Sequence, residues 1–314
     1  MMQKVKLIIS IDTECDKDFA WRVRQPLSFL NILETCKFNE TIKNKFDKSK
    51  ITLLLSPEVI KNEESVQLLK MQNQIELGTH MHLEFLKYSK HEVLETSEVQ
   101  AEISPEEDVY YLARLTELFI DQFGYKPLSF RAGRYGYNKL STFRTLKDLG
   151  YIVDSSIAPR CFFTFKNGVQ VNNSAFSSHP FIFSHGLLEV PISIVTCGNE
   201  AFYRVVTKVP SYSIRKYFDF LKPKQRWIRP SYEDLDSLKE NTRKLIKRWD
   251  VGRFGEPIIN MMFHSNELYP DASPYNKSWN DVELFLTKIT QYVEWLKENY
   301  EVEFTYLSEI EVKA

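Results

Sequence analysis

His80 and His82 stand one residue apart in Glu76-Leu77-Gly78-Thr79-His80-Met81-His82, in a chain with only six histidines among 314 residues. An extended segment sends residues i and i+2 to the same face, so both imidazoles can aim at one point. Neutral imidazole is the commonest metal ligand. Two polar residues alternating on a strand edge give the same spacing, and a metal site wants three or four ligands. A third ligand has to come from elsewhere in the chain.

Other residues able to do chemistry follow short apolar runs. Asp12-Thr13-Glu14 comes after residues 5–11, and Arg131-Ala132-Gly133-Arg134-Tyr135-Gly136 after residues 128–130. Asp154-Ser155-Ser156 closes the run at 152–153, and His264-Ser265-Asn266-Glu267 closes the run at 258–263. Each apolar run reads as a buried strand. In parallel α/β folds, sites form where strands end, so ionisable residues at five separate strand ends carry weight as a set. Singly, each is an ordinary polar turn. His91, His179 and His185 lack such partners and read as structural.

Strands are expected at 5–11, 51–55, 74–77, 128–130, 152–153, 258–263 and 302–306, the third delivering the histidines. Helices are expected at 25–46, 66–71, 105–123, 140–149, 232–249 and 279–299. Ser104 and Glu107 form a capping box at the start of the 105–123 helix. Strands alternating with helices of ten or more residues indicate parallel βαβ units. Residues 156–256 break the rhythm with turn signals and short β-like runs, so the chain reads as a single domain, 1–314, with an insertion-rich region before the last strands.

Composition narrows the function. Hydrophobic residues make up 43% and charged residues 26% of the chain, ordinary for a soluble globular protein. The net charge of −1, with no recognisable module, argues against nucleic acid as a partner. With ten glycines and neither a GxGxxG nor a GxxxxGK[ST] pattern, a phosphate-cradling loop is not expected. Cysteines 15, 36, 161 and 197 show no CxxC spacing, and the first apolar run is too short for a signal peptide. No stretch approaches a membrane span. A cytoplasmic location follows as the default expectation. Residues 201–230 hold eight basic residues against one acid, interleaved with aromatics. That segment could meet an anionic partner or membrane surface, or simply be a solvated face.

The five motifs fall in the order found in the polysaccharide deacetylases, and the chain resembles that metal-dependent, NodB-type carbohydrate esterase superfamily over about 250 residues. The likeness is to the subgroup with an FRAGRYG-type third motif (Phe130–Gly136) and an FHS fifth motif (Phe263-His264-Ser265) followed by a proline/serine loop at 270–275. It implies a distorted (β/α)7-type barrel and an α/β fold. It implies hydrolysis of an N-acetyl or N-formyl group from an amino sugar in surface-glycan precursor biosynthesis. The substrate would be an acetamido sugar, linked to a nucleotide or a polyprenyl diphosphate. Carried over residue by residue, Glu14, His80 and His82 would hold a divalent ion and Asp12 would be the general base. His264 would be the cationic general acid, held by Asp154. Arg131 or Arg134 would orient Asp12, while Tyr135, Ser155, Glu267 and Tyr275 would bind or orient substrate. The mixed N/O ligand set suits zinc, and also iron, cobalt or nickel.

The sequence departs from the family in three places. The acids are spaced i, i+2 where an adjacent pair is usual, the histidines are spaced i, i+2 where i, i+4 is usual, and the third motif lacks its proline. Two further functions remain compatible with it: a carbohydrate-binding module of the same fold without turnover, and a glycoside hydrolase using paired carboxylates such as Glu14 and Glu267.

Overall fold

The computed structural model describes residues 2–87, 98–198 and 224–312. Its strands, in chain order, are β1 (Lys4–Thr13), β2 (Ile51–Leu55), β3 (Ile75–Met81), β4 (Ser129–Ala132), β5 (Val153–Asp154), β6 (Phe162–Thr164), β7 (Gln170–Asn172), β8 (Phe181–Ile182), β9 (Leu188–Glu189), β10 (Ile194–Cys197), β11 (Lys224–Trp227), β12 (Ile258–His264) and β13 (Glu301–Phe304). The main sheet runs β12-β1-β2-β3-β4-β5-β9-β8, with β13 also pairing the first half of β1. Only β8 in this sheet pairs antiparallel, and the sheet curls into a distorted half-barrel. The expected fold is therefore met.

The apolar runs explain the architecture. Residues Ile51 to Leu55 are all buried, as a parallel strand covered on both faces requires. The helices Pro105–Phe123 and Trp279–Asn299 match their expected bounds, and Ser104 and Glu107 exchange the two capping hydrogen bonds. The first long helix is shorter than expected, Leu30–Lys45. Pro26 keeps the preceding segment out of the helix, and the cap comes from a distant residue, since Asp16 accepts from the Leu30 and Asn31 amides at 3.0 and 3.2 Å. The expected strand at 74–77 runs on through Met81, because β4 continues the ladder with His80 opposite Arg131 and Met81 opposite Ala132. His80 thus lies on the strand, not after it. Among the described residues, no helix is long and apolar enough to cross a membrane.

A polar seam crosses the barrel interior below the strand ends. Ser10 Oγ donates to Asn260 Oδ1 at 2.8 Å, and Asn260 Nδ2 donates to Ser155 Oγ at 3.1 Å. Arg131, fully buried, donates from Nη2 to both Ser10 Oγ and Ser155 Oγ. Buried polar groups that satisfy one another fix a unique arrangement. This seam holds β1, β4, β5 and β12 at the relative heights that the site above it needs.

Candidate active site

Register places the chemistry. Across the β1–β12 ladder Asp12 lies opposite His264, and across β3–β4 His80 lies opposite Arg131. β3 and β4 approach closely at Gly78, where a Cβ would collide with the Ser129 hydroxyl and come within 2.6 Å of the Ser129 carbonyl oxygen. Only glycine fits there, two residues before His80.

Glu14, His80 and His82 each offer a ligand atom, all within 4.8 Å of one another, and all three residues are buried. His80 Nδ1 donates to the Arg131 carbonyl at 3.0 Å, and His82 Nδ1 faces Glu84 Oε1 at 3.2 Å. Both acceptors lack protons, so each ring carries a hydrogen on Nδ1 and turns Nε2 inward. Those two nitrogens meet Glu14 Oε1 at 3.2 and 2.9 Å. Ring nitrogens crowded against a carboxylate need a proton or a metal ion between them, and imidazoles anchored at Nδ1 by a carbonyl or carboxylate are the usual arrangement around a bound metal. The donor set therefore fits a divalent ion. The same crowding perturbs the free groups. Burial pushes the His82 imidazolium down, but the Glu14 and Glu84 carboxylates bring it up to about 9. Burial raises the Glu14 carboxyl, yet Lys17 and His82 hold it well below the usual carboxylate range. Lys17, itself buried, ion-pairs with Glu14 Oε2 and leaves Oε1 to the histidines.

Asp12 accepts from Arg131 Nη1 at 2.6 Å. Burial raises its carboxyl, while Arg131, His80 and His264 outweigh that and hold it below the ordinary value. Of the two expected orienting arginines, only Arg131 reaches Asp12; Arg134 pairs with Glu84 at 2.6 Å and so braces His82. His264 points Nε2 at the same space, 3.8 Å from Asp12 Oδ2 and 3.9 Å from Glu14 Oε1.

Several expected roles are corrected. Asp154 does not hold His264: it accepts from Ser156 Oγ at 2.6 Å and the Ser156 amide at 3.1 Å, at the far end of β5. Burial raises its carboxyl and that of its neighbour Glu189. The groups at His264 Nδ1 are Arg229 and Glu267, at 3.0 and 3.3 Å. Glu267 is fully buried against Arg229, so it braces His264 and does not face a substrate. Ser155 is likewise fully buried, donating to the Val190 carbonyl at 2.8 Å and accepting from Arg131, so it orients the arginine.

Tyr135 and Tyr275 do border the site. Arg134 and Tyr135 both adopt left-handed backbone, with φ of 53° and 56°, a conformation that non-glycine residues hold only where the surroundings impose it. The Tyr135 hydroxyl is buried with no hydrogen-bond partner among the described residues. Burial and the nearby Asp12 raise it, so it stays a protonated donor. Tyr275 packs edge-on against Trp21, which in turn lies 5.0 Å from the His264 ring. His179 stacks on Phe254 and His185 on Phe183, away from this cluster. His91 and most of the basic segment 201–230 lie outside the described residues.

Sequence reasoning missed Lys17, Glu84, Arg229 and Trp21. Lys17 and Glu84 carried a local signal, since each lies within three residues of an expected ligand. Arg229 carried none, being one basic residue among the eight in its segment.

No protein-family profile and no curated protein matches the sequence. Solved structures do. A candidate polysaccharide deacetylase from Mycobacterium smegmatis superposes with a TM-score of 0.55 at 12% identity, covering 98% of this chain and 89% of that one. A candidate glycoside hydrolase/deacetylase from Parabacteroides distasonis gives 0.57 at 11% identity, covering 98% of this chain and 70% of that one. At such identities the likeness establishes the fold: a barrel of the polysaccharide deacetylase kind.

Proposed function

We propose that this chain is a metal-dependent hydrolase that removes an N-acyl group, acetyl or formyl, from an amino sugar. The observation that carries the reading is the buried Glu14–His80–His82 cluster, with both imidazoles anchored at Nδ1 and a separate carboxylate, Asp12, beside it. A divalent ion held there, zinc by ligand type, supplies Lewis acidity to a carbonyl oxygen and acidifies a water.

The protein's own groups divide the remaining work. Asp12, ionised and fixed by Arg131, is free at Oδ2 to take the proton of an attacking water. Tyr135 offers an unspent O–H donor at the rim. Trp21 and Tyr275 give flat apolar faces beside His264, the kind of surface on which a sugar ring packs. The leaving nitrogen collects its proton from Asp12 or His264. Nothing in this scheme needs Glu267 open to solvent, whereas a paired-carboxylate glycosidase would, and Glu267 is sealed against Arg229.

We further propose that the substrate is an acetamido sugar linked to a nucleotide or a polyprenyl diphosphate, used in surface-glycan assembly, and that the protein acts in the cytoplasm. The experiment is acetate or formate release from nucleotide- and lipid-linked acetamido sugars by protein loaded with zinc, cobalt or nickel. Turnover that is lost on chelation and restored by metal supports the proposal. Saccharide binding without release by the loaded protein would instead mark a non-catalytic module.

A further inference from the structure

Arg229 is a buried cation at the site to which the hydrolytic scheme gives no task. Its guanidinium lies 4.2 Å from the Tyr232 ring centroid and 5.5 Å from that of Tyr275, and its Nε donates to Ser231 Oγ at 2.8 Å. Nη2 reaches Glu267 Oε1 at 2.5 Å and His264 Nδ1 at 3.0 Å. Arginine has donors only. A ring nitrogen facing Nη2 at that distance must accept, so it carries a lone pair and not a hydrogen.

The alternative partner for Nδ1 is Glu267 Oε1 at 3.3 Å, but that oxygen already accepts from Arg229 and from the His264 backbone amide at 3.2 Å. His264 is thus set opposite to the other two histidines. His80 and His82 face a carbonyl and a carboxylate through Nδ1, which keeps the hydrogen there. His264 faces a guanidinium, which sends the hydrogen to Nε2, on the side of Asp12 and Glu14.

We infer that Arg229 is a positioning residue that fixes the Nε2–H tautomer of neutral His264, so that His264 meets the substrate as an N–H donor to the carbonyl oxygen. The tautomer stands on this geometry alone; its catalytic use rests on the hydrolysis proposed above. In that use the proton account closes without His264 giving up its hydrogen. Asp12 takes a proton as water oxygen bonds to the acyl carbon. The C–N bond then breaks, and the nitrogen electron pair takes the same proton from Asp12. A neutral imidazole that donates one hydrogen bond to developing oxyanion charge is an established catalytic device.

The test is long-range ¹H–¹⁵N NMR of ¹⁵N-histidine-labelled full-length protein with zinc added, at a pH where His264 is neutral. His264→Gln identifies the signals by their loss. The expected spectrum shows His264 almost wholly protonated at Nε2, while His80 and His82 show Nδ1–H. Arg229→Met should convert His264 to a majority Nδ1–H form donating to Glu267, and Arg229→Lys should restore Nε2–H. A wild-type spectrum with Nδ1–H at His264 overturns the inference even if Arg229→Met does not fold, as does an unchanged tautomer in a folded Arg229→Met. Amide turnover with the wrong tautomer would leave the hydrolase reading standing, and the right tautomer without turnover would do the reverse.

Discussion

Replacing Tyr135 with phenylalanine should stabilise the fold and impair catalysis at once. The Tyr135 hydroxyl is buried with no partner among the described residues, and burying an unmatched hydroxyl costs about 1–3 kcal/mol. Phenylalanine keeps the ring contacts with Phe163 and Trp227, whose centroids lie 5.6 Å away, and removes only the oxygen. A gain of about 1 kcal/mol follows. Tyr151 supplies the control. Its hydroxyl pairs with Thr79 at 2.9 Å and Thr116 at 3.1 Å. Thr116 still donates to the Leu112 carbonyl when Tyr151 is truncated, but Thr79 loses its partner, so Tyr151→Phe should destabilise by about 1–2 kcal/mol. The two substitutions delete the same atom and should move the urea midpoint in opposite directions at constant slope. In the acyl-release assay Tyr135→Phe should lose about 10²-fold in kcat, the typical effect of deleting one donor to developing charge. A Tyr135→Phe protein destabilised as much as Tyr151→Phe would show that the hydroxyl is already engaged in the folded protein and refute the argument.

Glu84→Gln should weaken zinc binding about 10- to 100-fold, because it loosens the group behind His82 Nδ1 and leaves Arg134 unpaired; competition against a chromophoric chelator reads this directly. Zinc binding at pH 7 should release about one proton, since His82 titrates at about 9 in the free protein and must give up its Nε2 hydrogen, and the affinity should stop rising with pH above that value. Calorimetry in buffers of different ionisation enthalpy measures the release, and a zero count would contradict the shift. Gly78→Ala should destabilise by about 1–3 kcal/mol, because its methyl meets the Ser129 hydroxyl and carbonyl between two ladder-paired strands. It should also lower zinc affinity through His80, whereas Gly124→Ala, where a Cβ meets nothing within 4 Å, should leave zinc affinity unchanged.

What the sequence disclosed was whatever local pattern encodes. Ile51–Leu55 is an uninterrupted apolar run, and Pro105–Phe123 carries its own capping box, so both are legible without a partner. The start of the Leu30–Lys45 helix is not, because its capping carboxylate is Asp16 and belongs to another segment. The end of β3 is set by β4, some fifty residues later, which is why the histidine strand looked shorter than it is. At the site, the residues expected as ligands converge, since strand ends in a parallel sheet share one edge. Their supporting shell was hidden. A buried Lys17 or Arg229 differs from a surface cation only through the carboxylate it meets, and Arg229 meets one 38 residues away. Asp154 misled for the converse reason: an acid at a strand end can turn inward, and this one shares the interior with Glu189.

The division of the site along the chain bears on how the protein is made. Asp12, Glu14, His80 and His82 emerge from the ribosome within one stretch of about seventy residues, on β1 and β3 or just beyond them. Arg229, His264 and Glu267 follow much later, and β12 docks beside β1 only once residues 258–264 have been made. Domains fold as units during synthesis, at about 5–20 residues per second. The metal ligands and Asp12 are therefore made roughly ten seconds or more before the Arg229–His264–Glu267 group, at those rates. A nascent chain holding metal would be a chelator with an unfinished pocket, and translation of the segment from Arg229 to Glu267 becomes the step that arms it.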